Sequence, residues 1–140
     1  MKHACVLLAL VALTFGVVHA ALGYEATYQI GYGALTLMAA LISATFLMLF
    51  LTRSTPLALG MAFSWGGASS VLGWWWFYNL LNKPSLMYEN EVLFGFLSLY
   101  FVGALLHFMV MQKSFGFPKG AFLMPVAISI GAATLIHVFV

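Results

Sequence analysis

The sequence predicts an all-α protein: a polytopic transmembrane bundle of five helices, or of four if the N-terminal segment is a cleaved signal. Three observations carry that expectation. Of 140 residues, 64% are hydrophobic and 6% charged, against about 25% charged in a soluble domain. Surface this apolar needs lipid or protein on every side. Five apolar runs also stand between the only polar clusters, each long enough to cross a hydrocarbon core at roughly 20 residues per helix. Finally, the runs are continuous rather than alternating, which excludes barrel strands and leaves helices as the structures that satisfy their own backbone in lipid.

The first run covers about residues 4–21. Lys2, the apolar stretch after it and the Val18-His19-Ala20 triplet also fit a signal peptide with an A-x-A-like cleavage site. Retention as a first helix is the preferred expectation. The second run covers about 30–52 and stops at Arg53-Ser54-Thr55-Pro56. Pro56 opens the third run, about 57–81, where its missing N–H costs nothing. So short a link makes the second and third helices antiparallel neighbours. Asn82-Lys83-Pro84 to Glu91 leads to the fourth run, about 92–111, and Gln112 to Gly120 leads to the fifth, about 121–140. Pro84 and Pro118 punctuate these links, whereas Pro125 lies inside the fifth run and is placed to kink it. The whole chain, 1–140, forms a single membrane domain with no soluble part and no clear internal repeat.

Charge sets the expected orientation. With a cytoplasmic N-terminus, Lys2, Arg53, Lys113 and Lys119 lie inside, while Lys83, Glu25, Glu89, Glu91 and the C-terminal Val140 lie outside. All three acidic residues fall in or beside outer links, so no carboxylate is available near a helix centre for proton- or cation-coupled transport. Nucleic acid is excluded as a partner by the lack of any basic run. Cys5 is the only cysteine, and neither a disulfide nor a zinc pattern is available to it.

The third run carries the most pattern. Ala58, Ala62, Gly66 and Ser70 recur every four residues, and Gly67 and Gly73 widen the stripe. Such stripes let helix backbones approach closely, either within the chain or at an interface with a second copy or another membrane subunit. Trp74, Trp75, Trp76 and Tyr78 end this helix at the expected outer headgroup level, as an anchor or as a lipid or cofactor contact. Three consecutive tryptophans point in three directions, so at least one packs on a neighbour. His19 and His137 fall near the outer ends of the first and fifth helices, and two histidines from different helices are what a bis-imidazole haem needs. The competing reading makes both of them packing or interface residues with no cofactor bound. The pair also disappears if the chain is cut after Ala20.

The stretch Thr55-Pro56-Leu57-Ala58-Leu59-Gly60-Met61-Ala62-Phe63-Ser64-Trp65-Gly66-Gly67 resembles the third-helix entrance of the small multidrug-resistance transporters. The resemblance covers about a tenth of the chain. That family carries a glutamate in its first helix, which the first run here lacks, and the fifth helix is a further departure, so no membership follows from it.

No catalytic constellation is present. There is no aspartate and no GxSxG, P-loop or HExxH motif, so the expectation is a non-enzyme. Short links, no charge at a helix centre, a small-residue stripe and many aromatics point to an accessory or structural subunit of a larger membrane complex, respiratory, photosynthetic or similar. The alternative is a small oligomeric transporter or channel for a neutral or lipophilic solute, with Ser64 and Asn79 along its path. The third possibility is a membrane haem or metal protein using His19 and His137.

Overall fold

The computed structural model describes residues 2–139. The expected outward position of Val140 and the side chain of Lys2 lie outside the described residues. The protein is all-helical, with 88% helix and no strand among the described residues. Four helices follow in order: α1 (Lys2–Arg53), α2 (Pro56–Leu80), α3 (Val92–Phe115) and α4 (Leu123–Phe139), with a short 3₁₀ turn at Ser85–Met87 between α2 and α3. Two of them, α1 and α3, are long and apolar enough to cross a membrane.

The first two expected helices are joined more tightly than the sequence suggests. Helix continues on both sides of a single residue, Gly23, whose backbone (φ 81°, ψ 176°) is non-helical. Glycine alone takes that conformation without strain. Residues 22–29, expected as an outer link, are therefore helix apart from this hinge. Tyr24 and Tyr28, one turn apart, stack at 6.2 Å, and Tyr28 stacks on Tyr32 at 4.2 Å, which supports the helix from its first turn. The Thr27 hydroxyl donates to the Gly23 carbonyl at 2.7 Å. Residues 2–22 form a first arm that folds back from the hinge until Phe15 lies against Gly31, and residues 24–53 form the second arm.

The remaining elements follow their punctuation. Pro56 stands in the first turn of α2 as expected. α3 runs on to Phe115, past the expected end near residue 111, and stops where Gly116 turns left-handed (φ 68°) and its N–H reaches back to the Lys113 carbonyl. α4 starts at Leu123, so Pro125 sits in its first turn, where no intrahelical bond is lost and no kink is required. This corrects the expected kink.

α2 is the middle of the molecule. It packs on the second arm of α1 along one face and on α3 along the other, whereas α4 touches α3 only slightly. The buried core consists of small side chains: Ala39, Ala58, Ala62 and Thr36. Backbones meet directly, without a layer of large residues between them. Between two helices, α2 carries glycine, serine and tryptophan where α1 carries more aliphatic side chains. The first arm and α4 lie outside this layer. Leu8 (72% exposed) and Ile136 (65% exposed) are representative of them.

Candidate functional site

The stripe of α2 divides between two neighbours. Toward α1, the Ser43 hydroxyl donates to the Ala62 carbonyl at 2.7 Å and the Ser69 hydroxyl to the Thr36 carbonyl at 2.9 Å. A Cβ on Gly66 would lie 3.0 Å from Ser43 Oγ, and one on Gly73 would lie 3.1 Å from the Thr36 methyl. Toward α3, a Cβ on Gly67 would overlap the Tyr100 backbone, and one on Gly103 would overlap that of Ser64. Ala58, Ala62, Gly67 and Gly73 are buried inside the chain, while Ser70 turns its hydroxyl back to the Gly66 carbonyl of its own helix at 2.9 Å.

The three tryptophans point three ways. Trp74 faces α3, donating from Nε1 to the Met87 carbonyl at 3.3 Å and meeting Phe96 edge-on at 6.0 Å. Trp76 faces α1 and lies over Gly33, where a Cβ would come within 2.6 Å of the indole. Trp75 remains exposed, edge-on to Tyr78 at 5.5 Å.

The histidines of the expected pair lie on the first arm and on α4. His19 is exposed in the first arm, edge-on to Tyr24 at 6.3 Å. His137 is exposed in the last turn of α4, a helix whose appreciable packing is on α3 alone. Among the described residues no three His, Cys, Asp or Glu side chains converge as a metal set. The more enclosed imidazole is His107, whose Nδ1 is buried without a partner beside a cavity of about 360 Å³ between α2 and α3. Ser64, Trp65 and Tyr100 also line that space.

A polar cavity lies at the tryptophan end and was not visible in the sequence as a site. It encloses about 490 Å³, within the roughly 300–1,000 Å³ of small-molecule sites. Tyr24, Glu25, Tyr28 and Gln29 line it from the start of the second arm, and Asn79, Asn82 and Lys83 line it from the end of α2. Helical spacing makes one wall: Tyr24 and Tyr28 share one stripe, and Glu25 and Gln29 the adjacent one. The other wall depends on how α2 ends. Asn82 and Lys83 are both left-handed (φ 58° each), and the Lys83 N–H closes on the Tyr78 carbonyl at 2.8 Å. That conformation costs a residue such as lysine about 1–2 kcal/mol; Lys83 and Glu25, both exposed, line the same cavity. One N–H of the Asn79 amide is committed to the Trp75 carbonyl at 2.8 Å. Gln29 Oε1 is buried with no partner. A cation and an anion thus line one space, an arrangement that suits a ligand carrying both charges. The repeat of Tyr24, Tyr28 and Tyr32 beside Glu25 and Gln29 is the sequence signal that marks this wall.

Comparison with known proteins finds no matching family model, curated protein or solved structure.

Proposed function

We propose that the chain is a multi-pass membrane protein serving as an accessory subunit of a larger membrane complex. In this reading both arms of α1, α2, α3 and α4 cross the bilayer, giving five crossings. The basic Arg53, Lys113 and Lys119 then face the cytoplasm, and Glu25, Lys83, Glu89 and Glu91 face outward. One observation carries the subunit assignment. The first arm and α4 each hold a stripe of small residues with nothing seated in it: Ala12, Gly16 and Ala20 on the arm, Ala127 and Gly131 on α4, all exposed. No other atom comes within 4 Å of a Cβ built on Gly16 or Gly131. Between helices in lipid, close small-residue contact replaces the hydrophobic drive of water. The stripe on α2 is occupied within the chain, so contacts with partners fall to the arm and α4. The test is solubilisation in mild detergent followed by native mass measurement. The chain is expected inside an assembly with larger subunits; a stable, monodisperse population of this chain alone would overturn the assignment.

A further inference from the structure

We propose that the cavity at the tryptophan end and an apolar groove beside it form one binding site for a zwitterionic phospholipid with a primary-ammonium head group, of the phosphatidylethanolamine class. The groove lies between the two arms of α1 and encloses about 490 Å³. Val11 and Phe15 line it from the first arm, and Leu35 and Met38 from the second. Thr27 also lines it, but its hydroxyl is spent on the Gly23 carbonyl. Tyr24 and Tyr28 line both spaces, so the polar cavity passes into the apolar groove across two rings that have a polar tip and an apolar body.

The dimensions and the chemistry agree with an amphiphile. From Tyr24 to Met38 the groove wall extends about 21 Å along the helix, enough for one acyl chain in a leaflet of about 15 Å of hydrocarbon. The cavity lies beside Trp75 and Tyr78, residues of the kind that sit at headgroup level. Glu25 attracts an ammonium, while Lys83 and the Asn82 amide attract a phosphate. The Glu25 carboxylate on the cavity wall decides between zwitterions: a primary ammonium can donate N–H bonds to it, and a quaternary one cannot. The site rests on reading the chain as a membrane protein and is independent of its being a subunit. Lipid retention is read on the isolated chain, so a failure here and the absence of partner subunits are separate results.

The experiment is native mass spectrometry of the full chain in detergent, titrated with phosphatidylethanolamine, phosphatidylcholine and phosphatidylglycerol of matched acyl chains. Phosphatidylethanolamine is expected to be retained about tenfold better than either of the others, and Glu25→Gln or Lys83→Gln is expected to lose about that factor. Ala34→Phe, which fills the groove and leaves the cavity walls untouched, is expected to weaken retention as well. Water-soluble phosphoethanolamine is expected to compete poorly. Equal retention of the three lipids, unchanged retention in Glu25→Gln, or full competition by free phosphoethanolamine would each overturn the site. The thermal midpoint of each variant, matched to the parent, shows that a lost lipid is not a lost fold.

Discussion

Glycines in the layer formed by α2 and its neighbours and glycines outside it occupy opposite surroundings. At Gly67 and Gly103 a single added carbon would overlap the backbone of the facing helix. At Gly16 and Gly131 the same carbon meets nothing within 4 Å. Both kinds sit in apolar helices among alanines and large aliphatic residues, so local composition does not separate them. What differs is whether a second backbone has come close enough to use the missing side chain. In lipid, apolar helices gain little by touching unless they touch closely, so an unused glycine stripe marks a contact the chain does not make with itself.

Gly103→Ala tests that contrast with the largest expected effect. The new methyl overlaps the Ser64 backbone and also falls 2.7 Å from the Phe63 carbonyl carbon, and a backbone cannot swing aside as a side chain can. Separating α2 from α3 is expected to cost about 3 kcal/mol, the upper end for overpacking, read as a fall in the thermal midpoint in detergent. A midpoint equal to the parent's would mean that α2 and α3 are not in backbone contact.

Gly33→Ala should cost less, because the obstacle is a side chain. The methyl meets the Trp76 indole at 2.6 Å, and the ring can tilt at a cost of about 1–2 kcal/mol. Trp76 leaves its seat on α1, so a shifted tryptophan emission is expected alongside the modest loss of stability. An unshifted emission would place Trp76 away from α1.

A serine pair then separates contact between helices from contact within one. Ser69 donates to Thr36 on α1, while its neighbour Ser70 donates to Gly66 on its own helix. Ser69→Ala is expected to lose about 0.6 kcal/mol, the mean for a hydrogen bond between membrane helices, and Ser70→Ala close to nothing. Equal losses in the two variants would remove the hydroxyls from the account of the α1–α2 contact.

Much of the fold was legible because proline marks it. Pro56, Pro84 and Pro118 fix where helices start or links run, and the boundaries of α2 and the start of α3 fall within a residue or so of the sequence reading. The Gly23 hinge was not legible. A lone glycine followed by Tyr-Glu-Ala-Thr-Tyr-Gln has no turn signature, and its reversal depends on the first arm finding Gly31. Reading residues 22–29 as a link also hid the site, since it cut the four-residue period of Tyr24, Tyr28 and Tyr32, although Glu25 is exposed as expected while it lines the cavity. Lys83 carried topological meaning only, because the end of α2 that places it on the cavity wall has two consecutive left-handed residues, which local propensity disfavours. Pro125 misled for a related reason: the apolar run begins two residues before the helix does.

The smallest expected effect on the fold is the most informative for function. Gly131→Leu and Gly16→Leu add bulk where the chain has open space, and each also replaces a poor helix former with a good one. The thermal midpoint of the isolated chain should therefore hold or rise slightly, a change within about 0.5 kcal/mol. If a partner helix sits in either stripe, the same leucine pushes it away, and the chain should leave its assembly during native mass measurement while remaining folded. A variant that folds and still co-migrates with every partner would show that lipid, not protein, fills that stripe. Loss of the assembly in only one of the two variants would identify which of the two outer helices the partner reads. The contrast with Gly103→Ala is what makes the result interpretable: the same kind of substitution breaks the chain where its own backbone fills the stripe and breaks only the complex where another's does.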